Sequence, residues 1–119
     1  MAQMMVSITH AKDNPDKATI GFVVANAAAA SGVETAVFLS SEAVYLSQQG
    51  YSDGVHEEGF KPLAELIETF LANDGQIWVC SPCFKRRGLA EDKLVGTALI
   101  TGAAKAVEFL AGGAACMSY

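Results

Sequence analysis

The chain has 119 residues, of which 51% are hydrophobic and 18% charged. That length suits one compact domain (1–119) with a real core, and the hydrophobicity argues against disorder. Eight Lys+Arg against thirteen Asp+Glu give a formal charge of −5, which argues against direct gripping of nucleic acid or of an anionic membrane surface.

No membrane span is expected. The longest low-charge stretch, 18–33, is too short and too polar, with Thr19, Asn26, Ser31 and two glycines in it. Residues 1–10 place no basic residue ahead of an apolar run, so no secretory signal is expected. Three cysteines in an acidic chain do not form a disulfide framework, so the default compartment is reducing and cytoplasmic.

Met4 to Thr9 is a short apolar run of strand length. Asn14-Pro15-Asp16 signals a helix start: Asn caps, Pro suits the first helical position, and Asp favours the positive end of the dipole. The helix is expected from Pro15 to about Ser31, with Gly32 as its stop. Ile20, Phe22, Val23, Val24 and a run of alanines leave it without a proper polar side, so a neighbouring subunit is expected to cover it. Thr35 to Leu39 is a second strand, apolar on both faces as in a sheet covered on both sides. A helical turn near Glu42 to Leu46 follows. Ser47 to Gly59 is a polar, glycine-containing loop of the length often used for lids or binding. Within it, His56, Glu57 and Glu58 read as solvated surface.

Leu63, Leu66, Ile67, Phe70 and Leu71 recur at helical spacing, and Asn73-Asp74-Gly75 ends that helix. Ile77 to Cys80 is a third strand, with Trp78 expected in the core or an interface. Cys83 to Leu89 reads as a loop or helical turn, and Thr97 to Ile100 as a fourth strand. Ala103 to Leu110 reads as a helix and Ala114 to Tyr119 as a last strand, with Cys116 buried and inert. Strands alternating with helices imply an α/β fold with a parallel sheet and right-handed crossovers.

The chemistry concentrates in Cys80-Ser81-Pro82-Cys83-Phe84-Lys85-Arg86-Arg87-Gly88, just after the third strand. Ligands of open α/β sheets sit outside the carboxyl ends of the strands, so the cluster is well placed. Cationic neighbours stabilise a thiolate, the nucleophilic form of cysteine. Lys85, Arg86 and Arg87 reverse the local charge against an acidic background, which suits an anionic substrate or a persulfide. A zinc site is poorly supported, because no second CxxC exists and Cys116, His10 and His56 are scattered. A thioredoxin-like dithiol lacks a proline after Cys83 to face the motif. A thiolate that carries sulfane sulfur is the third reading. His10, at the end of the first strand, and Ser40 and Ser41, after the second, lie on the same sheet edge and are candidate substrate contacts. Ser40-Ser41-Glu42 also reads as a helix cap.

The chain resembles the DsrE/DsrF-like family of small sulfur-relay proteins, with a YchN-like fold. The resemblance rests on Asn14-Pro15, the Ala-rich helix ending Ser31-Gly32, and Val37-Phe38-Leu39 before a loop. It also rests on a strand ending in Cys80 with Arg86-Arg87-Gly88 six to eight residues on, and on the closing Met117-Ser118-Tyr119. It implies a three-layer Rossmann-like sandwich with a mainly parallel sheet of about five strands. It also implies a persulfide accepted at Cys80, trimeric or hexameric assembly, and sulfur donor and acceptor proteins as partners. No cofactor and no metal are expected. Relay members carry small apolar residues and no second cysteine where this chain has Ser81-Pro82-Cys83. Cys80 therefore acts alone or pairs with Cys83. The other readings are a non-catalytic binding module with structural cysteines and a CxxC thiol-disulfide oxidoreductase.

Overall fold

A computed structural model describes residues 2–119. Five strands, β1 (Gln3–Ile8), β2 (Glu34–Leu39), β3 (Gln76–Cys80), β4 (Leu99–Thr101) and β5 (Ala115–Ser118), form one sheet in the order β4-β3-β2-β1-β5. Every pairing is parallel, so all five carboxyl ends meet at one rim. Four helices accompany them: α1 (Pro15–Ala30), α2 (Leu63–Ala72), α3 (Ser81–Arg86) and α4 (Ala103–Ala111). Short 3-10 helices span Ser41–Ser47 and Glu91–Lys93.

Local chemistry sets the boundaries. The Asn14 side chain accepts the Lys17 N–H at 3.2 Å, with Pro15 opening α1. Gly32, at φ +79, ends the run after α1 in the left-handed conformation that suits glycine. Parallel strands buried on both faces read as continuous apolar runs, as β2 and β3 do. Alternation then sorts their side chains. Val6, Ile8, Val37, Leu39, Ile77 and Val79 join the main core under α1 and α2. Met5, Ala36 and Trp78 face the other way, against Ala106, Phe109 and Leu110 of α4. The sheet is thus the middle of three layers.

Within one chain, the sheet and α2 already cover part of α1. One stripe, Ala18, Phe22, Ala25 and Ala28, is buried, and Val23 and Val24 pack on the same core. Phe22 meets Phe70 of α2 edge-to-face at 5.9 Å, and the Asn26 amide donates to the Leu66 carbonyl at 2.9 Å. The sheet and α2 share the apolar surface that looked excessive in the sequence. Large apolar residues are exposed elsewhere: Leu99 on β4, Val107 on α4 and Met117 on β5.

Cys116 also departs from expectation. It is exposed, because β5 is an edge strand flanked only by β1. Trp78 is buried, T-shaped against Phe109 at 5.1 Å. The Ser47 to Gly59 loop is tied down. The Gln48 side chain exchanges two hydrogen bonds with the backbone of Ala90, and Tyr51 stacks on Tyr45 at 5.3 Å. The Lys12 N–H donates to the Tyr51 hydroxyl at 3.3 Å, pinning the loop to the segment after β1. No helix among the described residues is long and apolar enough to cross a membrane.

Candidate functional site

Two cysteines stand at the carboxyl rim. Cys80 ends β3 and caps α3, and Cys83 occupies the first turn of that helix. Both are half-buried and neither is in a disulfide. β2 ends beside β3, with Leu39 opposite Val79, so the chain leaving β2 passes α3. There the Ser41 N–H donates to the Cys83 sulfur at 3.3 Å. Ser41 has φ +53, the left-handed region that non-glycine residues rarely occupy.

Arg87 joins the same two segments. Its Nη1 donates to the Cys83 carbonyl at 3.3 Å. Its Nε and Nη2 each donate to Glu42 Oε1 at 3.4 Å. The Arg87–Glu42 pair therefore clamps the residue after Ser41 to the turn that carries Cys83.

These contacts separate the two thiols. Burial pushes the Cys83 thiol up. The Ser41 N–H, the Cys80 side chain and the charges of Arg87 and Arg86 outweigh it and hold Cys83 below the ordinary thiol value. Burial pushes Cys80 up as well. The Cys83 N–H pulls it back, but the hydrogen bond with the Cys83 side chain and the negative charge there leave it above the ordinary value. The sequence points to Cys80 as the sulfur whose pKa Lys85 and Arg86 depress. In the fold the depression falls on Cys83, because the extra donor comes from the loop after β2.

The other expected site residues divide. Ser41 contributes through its backbone rather than its hydroxyl. The Ser40 N–H donates to the Ile8 carbonyl and its own carbonyl accepts the Ala43 N–H, which are roles in the backbone turn. Arg87 is in the cluster, Arg86 acts on it by charge, and Lys85 is exposed on the last turn of α3. His10 belongs to a separate group. It pairs with Asp13 at 2.9 Å, and the Ala11 N–H, 2.7 Å from the Asp13 carboxylate, holds that acid below the ordinary carboxylate range with help from His10. β2 lies between β1 and β3, so the segment carrying His10 leaves a strand that is not adjacent to the one ending in Cys80. Glu42, read in sequence as a cap, is the site residue whose role composition does not reveal. Its nearness to Arg87 depends on a loop forty-five positions away. An open cleft of about 320 Å³ lies at the opposite end of the sheet, between the strand starts and α4, lined in part by Glu34, Trp78 and Lys105.

The chain is thus an open parallel α/β sheet with two free cysteines at the carboxyl rim, where ligands of such sheets bind. The chain belongs to the DsrE/DsrF-like family, whose model matches residues 2–119, and that family is generally linked to sulfur relay. The ychN protein from E. coli has the same fold, with a TM-score of 0.83 at 16% identity over the whole of both chains. A protein of unknown function from Methanobacterium thermoautotrophicum is similar at a TM-score of 0.73 and 13% identity, again over the whole of both chains. In sequence, the chain is 26% identical over 108 residues to an uncharacterized protein of Methanocaldococcus jannaschii. That match covers 91% of this chain and 39% of the relative's length.

Proposed function

We propose that this chain is a small sulfur-transfer protein that holds sulfane sulfur as a persulfide on its Cys80/Cys83 pair. The observation that carries the reading is the Ser41 N–H seated on the Cys83 sulfur. A thiolate is the form that attacks a sulfane sulfur, and a donated N–H with nearby guanidinium groups stabilises that form. Cys83 takes up the sulfur. Its thiolate attacks the outer sulfur of a donor persulfide, and the donor leaves as a thiol carrying the persulfide proton. Family resemblance puts the carrier at Cys80, and the hydrogen-bond geometry favours Cys83, one helical turn on.

Arg86 and Lys85 are exposed on α3 and offer positive charge to an anionic donor such as a persulfide or thiosulfate. Sulfur donor and acceptor proteins dock at this rim. Further copies of the chain cover Leu99, Val107 and Met117, giving a trimer or hexamer. The compartment is the reducing cytoplasm, where both thiols stay free.

The test uses a Cys116→Ser background, a glutathione persulfide donor and intact mass. Cys80→Ser is expected to gain the mass of one sulfur, and Cys83→Ser to gain none. Sulfur on Cys83→Ser alone moves the carrier to Cys80. Sulfur on neither variant, with both folded, contradicts the reading and leaves a binding module with structural cysteines.

A further inference from the structure

We propose that Cys80 limits how long sulfur stays on Cys83, by attacking it to close a Cys80–Cys83 disulfide and expel hydrosulfide. This rests on the persulfide reading above and adds a sulfide-releasing activity to it. Relay through a lone cysteine can only pass the sulfur on. A second thiol within reach changes the product.

The placement supports it. Cys80 caps α3 and Cys83 lies three residues on, in its first turn. Side chains three apart on a helix are neighbours, with Cβ atoms about 5–6 Å apart. A disulfide needs Cβ atoms about 3.5–4.5 Å apart, so closure requires the two residues to approach by roughly 1–2 Å where β3 runs into α3. Both sulfurs are free, and both residues lie at the same carboxyl rim of the sheet. The Ser41 N–H lies on the Cys83 sulfur, the atom under attack.

The step balances. With Cys83 loaded as a persulfide anion, Cys80 holds the proton. The Cys80 sulfur forms a bond to the Cys83 sulfur with its own electron pair. The bond from Cys83 to the terminal sulfur breaks, and its pair leaves with that sulfur. The Cys80 proton moves to it, so HS⁻ departs. The sulfane sulfur is reduced by two electrons, and the two thiols are oxidised by two. A pair of low-molecular-weight thiols, such as glutathione, then reduces the disulfide and is itself oxidised. An acceptor protein must take the sulfur before Cys80 does, because an intramolecular thiol acts at an effective concentration that no free thiol reaches.

The experiment loads Cys116→Ser protein with limiting glutathione persulfide, desalts it, and follows sulfide with a bimane trap and the chain by intact mass. With Cys80 present, about one sulfide per chain is expected, and the chain ends two hydrogens lighter than its reduced form. The Cys80→Ser, Cys116→Ser variant is expected to keep its added sulfur and release sulfide at least about tenfold more slowly. Equal retention of sulfur with and without Cys80, and no disulfide, overturns this inference while the carrier reading stands. Uptake by neither protein overturns both.

Discussion

Ser41 occupies the left-handed region at φ +53, and that conformation brings its N–H to the Cys83 sulfur. A non-glycine residue there carries about 1–2 kcal/mol of strain. Ser41→Gly relieves it but adds roughly 0.5–1 kcal/mol of chain entropy. The variant should be more stable than wild type by up to about 1.5 kcal/mol in denaturant titration, and should keep Cys83 as reactive, since the backbone N–H remains. Loss of reactivity there would assign the role to the hydroxyl instead. Arg87 acts by charge and by clamping. Arg87→Met is expected to slow Cys83 alkylation at neutral pH roughly threefold, because a partly exposed charge is one of several groups that favour the thiolate and is screened by solvent. Arg87→Lys should recover part of the charge effect without the forked contact. The pH dependence has a definite sign. Cys83 is lowered and Cys80 raised. The alkylation rate of Cys83 should therefore rise at lower pH than that of the unfolded chain, and that of Cys80 at higher pH.

The helix of α1 sits on β1 through Gly21, where an added Cβ would lie 2.5 Å from Ile8 Cδ1. Ile8 is fully buried, and with its Cγ1 at 2.8 Å as well its side chain must shift to admit a methyl. Gly21→Ala gains up to about 1 kcal/mol of helix propensity and incurs about 1–3 kcal/mol of overpacking. A net loss of about 1 kcal/mol in urea unfolding is expected, and a gain would show that α1 can shift on the sheet. Elements like this were readable because their signals are local. Asn14-Pro15 opens α1, Gly32 follows its end, and the apolar runs of β2 and β3 declare strands covered on both sides. The misplaced features depend on contacts across the fold. β4 lies at Leu99–Thr101, starting two residues later and ending one later than the expected Thr97 to Ile100, because pairing with Trp78 to Cys80 sets its bounds. Cys116 reads as a buried strand residue, and only the strand order shows that β5 is an edge. The Ser41–Cys83 bond joins residues forty-two positions apart, so the chain order gives no hint of which cysteine is favoured.

Across the whole molecule, α4 and the edge strand β4 carry exposed apolar side chains, with Val107 63% exposed and Leu99 49%. A face of that kind favours self-association. The protein should sediment as an oligomer, and Leu99→Glu with Val107→Glu should shift it toward monomer while circular dichroism stays unchanged. A wild-type chain that sediments as a monomer at every concentration contradicts that part of the account. At the site, the sulfur of Cys83 is the more acidic of the two, held below the ordinary thiol value by a backbone N–H from the neighbouring loop together with Arg87 and Arg86. Limiting iodoacetamide at neutral pH, followed by peptide mapping, tests it directly. The account predicts label on Cys83 well before Cys80, and faster than in the unfolded chain. Label on Cys80 first, or equal and slow label on both, contradicts it.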